Sequence, residues 1–544
     1  MAEKLDCLVI GYNRGSIEGH LELAKAGKEV SAGYQHVLAN SARFLGKRGD
    51  YFDAINSALT AATGESSELH FGKMPNLAVN ILASFLERHD LTADVINYFN
   101  GEQDRLIELL KDEPLTVAIT TTFYIDNAPI AEIAEFVKQH SPSTKIIVGG
   151  PRMFHMFSDY PEKRWPFLLK SIGADIYVFD SQGELTLART VKELKKAEPD
   201  LKRVPNIITG NPLALTARLP EANEMNSTSV NWAGALEHSD ANVVSMRTAR
   251  SCAFKCSFCR YPLIAGSLDL TDIDVVEKDL RDLHDRGIKY VLFIDDTFNI
   301  PQPRFKELCR MIIRNKFDFK WLSYFRCANA DDEAFDLAAE AGCIGVFLGI
   351  ESGDASILRN MNKGARVDRY RDGIRKLNDR GIISYSTFIC GFPGETEETI
   401  QNTINFIRET GPTYYSMEPY YHDPKVPIAE RSEEFGLKGS GYSWKHNTMD
   451  WKEATKWSLY AYETITESTV LPLNNFDLWS VGYLLGEGFS KETITSTLEI
   501  LAKITIAGIR EPEMDYTDNE NRLINLFKEA PELQTITQAT SKTA

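Results

Sequence analysis

Three cysteines fall within eight residues of this 544-residue chain, as Cys252-Ala-Phe-Lys-Cys256-Ser-Phe-Cys259. Three residues separate the first pair and two separate the second, so one tight loop can present three thiolates to one face of an iron–sulfur cube. Soft thiolates are the ligands that such clusters take. Because only three are supplied, a [4Fe–4S] cluster bound here keeps one iron open to a small molecule.

A structural zinc site is the alternative for this loop. Structural zinc takes four ligands, usually as two matched pairs. No second C-x2-C pair occurs, because the other cysteines are scattered singly at Cys7, Cys309, Cys327, Cys343 and Cys390. The spacing therefore favours a cluster over zinc.

Composition narrows the function classes. A hydrophobic content of 43% and a charged content of 25% are typical of globular domains, and no apolar run predicts a transmembrane helix or a membrane partner. The first residues lack the pattern of a signal peptide, so we expect a cytoplasmic protein with reduced thiols. The 77 acidic residues exceed the 60 basic ones, which disfavours a nucleic-acid substrate and leaves peptides and small molecules.

Residues 1–210 alternate short apolar runs with helical patterns. This alternation predicts an α/β domain with a doubly wound, Rossmann-like parallel sheet. Ligands of such sheets lie at the carboxyl ends of the strands. The candidate ligand-binding residues at those ends are Asn13, Thr121, Thr122, Gly149, Gly150, Pro151, Gln182 and Gly183.

A polar linker, residues 211–241, precedes a second alternation over residues 242–422. Six apolar runs interleaved with helical patterns predict an open, partial (β/α)6 barrel, whose catalytic groups should lie at the carboxyl ends of its strands. Residues 423–544 are rich in aromatic residues and helical patterns, and we expect a mostly helical substrate-binding or lid region.

Several chemically useful residues follow the predicted barrel strands. Asp295 and Asp296 end the second strand, and buried carboxylates there need a partner such as an ammonium group, a helix N-terminus or an ion pair. Arg326 follows the third strand, where it could face a carboxylate or join a structural ion pair. Glycine-rich segments end the fourth strand (349–353) and the fifth (391–395), and glycine permits close backbone approach to a ligand.

These segments and the cysteine loop resemble the radical S-adenosylmethionine (SAM) family over residues 242–418. Gly349-Ile-Glu-Ser-Gly353 and Gly391-Phe-Pro-Gly-Glu395 resemble the branch that carries an N-terminal cobalamin-binding domain. Ile146-Ile-Val-Gly-Gly-Pro151 and Asp175–Glu184 are similar to the fourth- and fifth-strand segments of that domain. Glu418-Pro-Tyr-Tyr-His422 is similar to the subgroup near the phosphinate P-methyltransferase and enzymes of peptide natural-product biosynthesis.

The resemblance implies three cofactors: a [4Fe–4S] cluster on Cys252, Cys256 and Cys259, SAM on its open iron, and cobalamin (vitamin B12) in the first domain on the strand-end residues named above. The implied SAM-binding residues are Phe258, Asp295, Asp296, Arg326, Glu351, Gly391 and Glu395. At the barrel mouth, Tyr415, Tyr421 and His422 are candidate substrate residues, with ordinary packing as the alternative.

The implied activity is methyl transfer from methylcobalamin to an unactivated carbon, or to phosphorus, of a peptide or small molecule. A 5′-deoxyadenosyl radical would activate the substrate, and a flavodoxin- or ferredoxin-type protein would supply electrons. Two alternatives stay open: a cobalamin-binding radical SAM enzyme that cyclises or rearranges its substrate without methyl transfer, and a non-catalytic corrinoid or iron–sulfur protein.

One motif is misplaced. Asp282-Leu-His-Asp-Arg-Gly287 matches D-x-H-x-x-G, by which some cobalamin proteins ligate cobalt through histidine. That pattern should follow the first strand of the cobalamin domain, whereas here it ends a predicted helix over Ile273–Asp285. No such pattern occurs in residues 1–210. The resemblance therefore implies a cobalt without a histidine below it, which suits easy loss of a methyl group.

Overall fold

The structure is a computed structural model that describes residues 4–15, 17–19, 21, 32–209, 213–473, 476–510 and 516–533. The chain folds into two compact units. Unit 1 takes residues 1–15, 72–245 and 269–286, and unit 2 takes 16–71, 246–268 and 287–544. This division departs from the sequence-based boundaries, because residues 16–71 leave the predicted first domain and residues 269–286 leave the predicted barrel.

Packing explains both departures. Helix Tyr51–Thr63 buries Tyr51 and Phe52 against the C-terminal region, where Tyr51 Oη lies 3.2 Å from Thr505 Oγ1 and the ring of Phe52 lies 4.9 Å from that of Phe476. In unit 1, the Met225 amide donates to Asp269 Oδ2 at 3.2 Å. Hydrophobic periodicity predicts a helix but does not identify the element that covers its apolar face.

Unit 1 contains a seven-stranded sheet. In chain order, its strands β1 to β7 are Cys7–Tyr12, Ala93–Tyr98, Thr116–Thr120, Lys145–Gly149, Ile176–Val178, Ile207–Thr209 and Ala214–Leu215. Their order in the sheet is β2-β1-β3-β4-β5-β6-β7. Strands β1 to β5 pair in parallel, and β6 and β7 extend the sheet antiparallel.

Helices cover the two faces of this sheet. Ile10, Ile119 and Val148 are buried on one face, and their neighbours Val9, Ala118 and Ile147 are buried on the other. Apolar residues at consecutive positions are the mark of a parallel sheet covered on both sides. The α-helices of unit 1 are Leu77–Glu87, Gln103–Lys111, Ala128–His140, Pro151–Asp159, Trp165–Leu169, Glu184–Leu194, Trp232–Ala235 and Ile273–Asp285.

The chain contains a second seven-stranded sheet. In chain order, its strands β8 to β14 are Val243–Met246, Tyr290–Phe293, Lys320–Tyr324, Cys343–Glu351, Ile383–Cys390, Tyr414–Pro419 and Thr469–Val470. The strands follow one another in the sheet in this same order, and β9 to β14 pair in parallel. The six predicted barrel strands are present, and β14 is an addition that the sequence did not predict.

Helices flank the strands of unit 2, and short strands complete it. Its α-helices are Ala32–Ala39, Tyr51–Thr63, Tyr261–Ala265, Gln302–Asn315, Asp332–Glu340, Ala355–Asn360, Val367–Asp379, Glu397–Thr410, Ser432–Phe435, Trp451–Thr464, Leu478–Gly486, Lys491–Arg510 and Thr517–Glu529. Two antiparallel hairpins pair Ala42–Phe44 with Lys47–Gly49 and Lys438–Ser440 with Ser443–Lys445. A further two-residue strand of unit 2 is Ala249–Arg250, and unit 1 contains the two-residue strand Asp269–Leu270.

Register separates the two faces of the barrel sheet. Phe293 contacts Trp321 and, through Phe298, the helix-borne Phe305, so these residues lie on the outer, helix-covered face. The opposite, inner face carries the contact series Tyr324–Phe347–Tyr385 and the hydrogen bond from Tyr385 to Ser416 Oγ. Because side chains alternate along a strand, Glu418 lies on the same inner face as Ser416.

The C-terminal region packs onto this inner face. Helix Leu478–Gly486 approaches β9 and β10 so closely that a Cβ on Gly482 would lie 2.8 Å from Leu292 Cδ2. The ring of Trp479 meets Tyr324 edge-on at 5.1 Å. This part of the predicted substrate or lid region therefore supports the barrel from inside. Among the described residues, no helix combines the length and apolar content needed to cross a bilayer.

Candidate active site and cofactor sites

The cysteine loop is anchored by hydrogen bonds to two segments that are distant in sequence. The Ser257 amide donates to Met361 O and its hydroxyl to Asn360 O, each at 2.8 Å. The Ile428 amide donates to Ser257 O at 2.8 Å. Together these bonds fix the backbone between the second and third cysteines.

All three loop cysteines are free thiols, with Cys256 buried and Cys252 and Cys259 half-buried. Burial raises the pKa of Cys259, and the two neighbouring thiols and Asp296 act in the same direction. A metal cluster would offset this effect, because its iron atoms bind the deprotonated form. Among the described residues, no three His, Cys, Asp or Glu side chains converge closely enough to hold a single metal ion. Thiolates of a [4Fe–4S] cluster each bind a different iron.

The two aspartates after β9 have different partners. Asp295 is buried and accepts hydrogen bonds from the Thr248 amide, the Thr248 hydroxyl and the Ala249 amide, at 2.6, 2.6 and 3.0 Å. Asp295 therefore fixes the backbone that leads into the cysteine loop. Its partners are protein groups, as the alternative to ligand binding predicts for one of the two aspartates. Part of Asp296 reaches solvent, yet desolvation of its carboxyl, aided by Asp295, raises its pKa to about 7. Of the two, Asp296 is the one available to a cationic ligand.

Arg326, which follows β10, carries a buried positive charge whose hydrogen-bonding capacity is unfilled. Its guanidinium stacks on Phe254 of the cysteine loop, 3.5 Å from the ring centroid. Within the described part of the chain, Nε and Nη2 are buried and have no hydrogen-bond partner. The backbone of Arg326 is held by Asn299, whose Oδ1 accepts from the amide at 2.8 Å. A buried cation with free donors calls for an anion, and a carboxylate matches the guanidinium fork.

Glu351 sits at a bulge in β11 with a left-handed φ of 69°. Lys363 Nζ donates to its Oε1 at 2.9 Å, and both side chains are largely buried. The Lys363 ammonium also lies 5.5 Å from the ring centroid of Phe258. The sequence predicts Glu351 and Phe258 as SAM-binding residues but gives no indication of Lys363, which contacts both. No local pattern marks Lys363, because it comes from the loop after helix Ala355–Asn360.

The turn after β12 is built around its own glutamate. Glu395 Oε2 accepts hydrogen bonds from the Gly391 and Phe392 amides. Burial raises the pKa of Glu395 to about 8. A Cβ on Gly391 would lie within 3 Å of Trp444 and Ala454. The turn reaches the cysteine loop through Phe392, whose ring meets Phe258 edge-on at 6.3 Å. The described contacts give Gly391 and Glu395 a structural role beside the loop, while Glu395 Oε1 is buried with no hydrogen-bond partner among the described residues, so the SAM-binding role of the two residues stays a prediction.

The three predicted substrate residues are separated by the structure. Tyr415 is fully buried, on the face of β13 opposite Glu418, and its hydroxyl donates to Ala461 O at 3.0 Å. His422 is buried with Nδ1 3.2 Å from the Tyr420 hydroxyl, and burial lowers its pKa. Only Tyr421 is exposed. Tyr415 therefore packs away from the barrel interior.

Glu418 is an inner-face residue that the sequence missed. It is paired in register with Ile389 and lies two residues beyond Ser416. Its Oε2 lies 2.9 Å from His36 Nδ1, and its Oε1 accepts from the Tyr462 hydroxyl at 3.1 Å. His36 in turn stacks on Tyr442 at 5.2 Å. The available sequence signal is that Glu418 is the one charged residue of β13.

In unit 1, the predicted ligand residues lie at the carboxyl edge of the sheet. Thr121 bonds Gly149 O through its amide and its hydroxyl, at 2.9 and 2.8 Å. Gly150 has φ of 102°, and a Cβ there would lie 3.0 Å from Thr121 N. Asn13 donates to Pro129 O, while its buried Oδ1 has no partner within the described residues.

The remaining predicted ligand residues of unit 1 adjoin the same edge. The Thr122 hydroxyl lies 3.0 Å from that of Thr120, and Pro151 opens the helix after β4. Gln182 Oε1 accepts from the Asn223 amide at 2.8 Å, and Gly183, with φ of 87°, precedes helix Glu184–Leu194. Close backbone approach at Gly150 and the unfilled Asn13 carbonyl fit a large ligand with polar groups.

The comparisons with known proteins agree with this geometry. Residues 246–407 match the family model described as the Radical SAM superfamily. An uncharacterized methyltransferase of Pyrococcus horikoshii is 31% identical over 164 residues, which cover 30% of this chain and 36% of that protein. An anaerobic magnesium-protoporphyrin IX monomethyl ester cyclase of Cereibacter sphaeroides is 25% identical over 363 residues, covering 64% of this chain and 57% of that protein.

A solved structure shares the fold. The cobalamin-dependent S-adenosylmethionine radical enzyme OxsB, with aqua-cobalamin bound, aligns with a TM-score of 0.56 at 15% identity, over 99% of this chain and 81% of that one. The predicted fold class, α/β with a parallel-sheet radical SAM domain, is confirmed.

Proposed function

We propose, from the radical SAM domain that the chain carries over residues 246–407, that the protein is a cobalamin-dependent methyltransferase. It would move a methyl group from methylcobalamin to an unactivated carbon, or to phosphorus, of a peptide or small molecule. When bound, the reduced cluster and SAM supply a 5′-deoxyadenosyl radical, and methylcobalamin supplies the methyl group.

The observation that carries this proposal is the unfilled guanidinium of Arg326 against the cysteine loop. Nε and Nη2 are buried and unpaired within the described residues, and Phe254 holds the guanidinium plane. Leaving buried charged donors without partners costs more than an ordinary hydrogen bond is worth, so the site fits an anionic ligand. The carboxylate of SAM is such a ligand.

The other residues around the loop have complementary tasks. Cys252, Cys256 and Cys259 would hold the cluster. Asp296, whose pKa is raised to about 7 by desolvation, would lose its proton and accept a hydrogen bond from the ammonium group of SAM. Glu351, fixed by Lys363, would position a hydroxyl or amino group of the same ligand.

Unit 1 would hold cobalamin at the carboxyl edge of its sheet. The close approach of Gly150 to Thr121 and the unpaired carbonyl of Asn13 support this assignment. The shared fold with OxsB, whose structure contains aqua-cobalamin, supports it as well.

A second candidate function is cyclisation or rearrangement without methyl transfer. The similarity to the magnesium-protoporphyrin ester cyclase, over 64% of this chain, favours it specifically. The chain spans about a third to just over half of the length of the two curated relatives described, so activity and substrate are part of the proposal. A cytoplasmic location and a flavodoxin- or ferredoxin-type electron donor complete it.

Anaerobic purification with hydroxocobalamin, followed by metal and product analysis, tests the proposal. We expect about four irons and one corrinoid per chain, and formation of both S-adenosylhomocysteine and 5′-deoxyadenosine when a substrate is turned over. 5′-Deoxyadenosine without S-adenosylhomocysteine would support the cyclase candidate. Absence of any SAM cleavage under strong reductant would leave a non-catalytic binding protein.

A further inference from the structure

Positive charge is concentrated on three segments that meet at the cysteine loop. The residues 252–260, 359–363 and 423–428 contain one acidic residue, Asp423, and five basic ones, which are Lys255, Arg260, Arg359, Lys363 and Lys425. The whole chain has the opposite balance, with 77 acidic residues against 60 basic ones. The surroundings of the three cysteines therefore differ in charge from the rest of the protein.

Hydrogen bonds join the three segments, which all belong to unit 2. Asn362 Nδ2 donates to Lys255 O at 2.7 Å, and the Ser257 hydroxyl donates to Asn360 O at 2.8 Å. The Ile428 amide donates to Ser257 O at 2.8 Å. The charged residues are thus carried on backbone segments that hold fixed positions around one loop.

The five basic side chains differ in exposure. Arg260 and Lys363 are mostly buried, and each lies beside a carboxylate: Arg260 Nη1 is 3.6 Å from Asp423 Oδ2, and Lys363 Nζ is 2.9 Å from Glu351 Oε1. The three basic side chains that are exposed to solvent are Lys255, Arg359 and Lys425. We call Lys255, Arg359 and Lys425 the basic face. Residues 430–434, with three glutamates and one arginine, mark its limit.

The basic face lies next to the cluster ligands. Lys255 is exposed, whereas the adjacent Cys256 is buried. A protein that contacts Lys255 is therefore separated from a cluster on the cysteines by little more than the loop itself. Clustered surface charges of one sign attract a partner of the opposite sign and raise its rate of association.

We propose that the basic face is the docking site of an acidic one-electron carrier protein, which reduces the cluster through the cysteine loop. This inference rests on the proposed function, for which the cluster must be reduced. Charge complementarity identifies the occupant as acidic, and the adjacent cysteines identify it as an electron carrier. When the carrier is a flavodoxin, its flavin hydroquinone anion gives one electron to the oxidised cluster and becomes the neutral semiquinone, so no proton is transferred.

Binding of oxidised flavodoxin, an acidic carrier, to the anaerobically reconstituted protein tests the docking site without turnover. Because Lys255 lies between two cluster cysteines, the test variant is Arg359→Glu/Lys425→Glu. Lys320→Glu, an exposed position at the amino end of β10, is the matched control. At low ionic strength, calorimetry should show an affinity roughly tenfold weaker in the double variant and changed by less than about twofold in the control. The wild-type affinity should fall as salt is added, because ions screen exposed charges.

Electron delivery gives a second readout. In stopped-flow mixing at low ionic strength, the double variant should oxidise flavodoxin hydroquinone roughly tenfold more slowly than the wild type. The difference should close near about 1 M salt, where the Debye length is about 3 Å. Reduced methyl viologen is a small cation that needs no docking surface, so it should reduce the cluster of all three proteins at similar rates.

Several results would overturn the inference. Equal flavodoxin affinities of the wild type and the double variant would place the carrier elsewhere, and an affinity independent of salt would exclude charge complementarity. An equal loss of rate with flavodoxin and with methyl viologen would trace the defect to the cluster instead of the surface.

A milder variant covers the case in which charge reversal costs the protein its cluster. Arg359→Gln/Lys425→Gln removes the charges without reversing them and should bind flavodoxin with an affinity between those of the wild type and the reversed variant. Wild-type affinity in this variant would also reject the basic face. A protein that accepts electrons from flavodoxin but cleaves no SAM would instead fail the proposed function and leave the docking site in place.

Discussion

Glu418 of β13 and His36 of helix Ala32–Ala39 form a partly buried pair, with Oε2 and Nδ1 2.9 Å apart. Their side chains are 12% and 13% exposed. The two residues are 382 positions apart in sequence. Their contact connects segment 16–71 to β13, the last of the six predicted barrel strands. It also places a carboxylate on the inner face of the barrel.

His36→Ala and Glu418→Gln should each lower the free energy of unfolding of unit 2 by about 1–3 kcal/mol, because each leaves a partly buried polar partner unsatisfied. The double variant should lose less than the sum, which urea unfolding in a double-mutant cycle measures. The matched control is the exposed Arg366–Asp368 pair, whose coupling should be much weaker, because solvent screens both charges. Additive losses at His36 and Glu418 would show that the pair is not coupled.

The sequence predicts the elements of this molecule well and their partners poorly. All six barrel strands and the cysteine loop follow from local patterns, because alternation and spacing are local properties. The sequence predicts residues 16–71 to be part of the first domain, because they lie between its first and second strands. The fit of Tyr51 and Phe52 against Thr505 and Phe476, together with the His36–Glu418 pair, shows where this segment packs.

The site shows the same limit. Asp295 and Asp296 look alike in sequence, yet the fold directs one to Thr248 and leaves the other in the site. Strand parity could have placed Glu418 on the inner face and Tyr415 on the outer one. Lys363 and His36 could not have been found this way, because each reaches its partner through the fold from a separate segment.

Arg326→Gln should weaken SAM binding roughly 10- to 100-fold, because a buried, charge-assisted hydrogen-bond donor is lost. Arg326→Lys should not restore binding, since an ammonium lacks the planar fork that stacks on Phe254. Equilibrium dialysis with the anaerobically reconstituted protein measures this, with iron content as the check on the cluster. The control is Arg380→Lys, because Arg380 pairs with Asp336 and precedes β12, at the opposite end of the strands from the cysteine loop. Wild-type SAM affinity in Arg326→Gln would remove Arg326 from the SAM site.

Replacing only one residue of the Glu351–Lys363 pair should lower the free energy of unfolding strongly. Glu351→Gln or Lys363→Met should each destabilise the cluster-free protein by about 3–5 kcal/mol, because the remaining charge stays buried without its partner. The double variant should recover part of that loss. Chemical denaturation of the three variants checks the order, and a double variant less stable than both single ones would contradict it.

Asp477 should make stability depend on pH. Burial raises its pKa from 3.8 to about 6, while its carboxylate caps helix Leu478–Gly486. The folded state therefore holds the proton more tightly, and stability falls as pH rises from about 4 to 6, by at most about 3 kcal/mol. Asp477→Asn keeps the cap and removes the charge.

The variant should accordingly be more stable than the wild type at pH 8 and equal to it near pH 4. Thermal or urea unfolding at both values measures the difference. A stability difference between Asp477→Asn and the wild type that grows toward acid pH would contradict the raised pKa of Asp477.

SAM cleavage by the anaerobic, reduced protein tests the central claim most directly, with the wild type compared to a variant in which Cys252, Cys256 and Cys259 are all alanine. We expect the wild type to contain about four irons per chain and to release 5′-deoxyadenosine. The triple variant should contain no cluster and release none. Zinc at the loop of the wild-type protein, or undiminished SAM cleavage by the variant, would contradict the account.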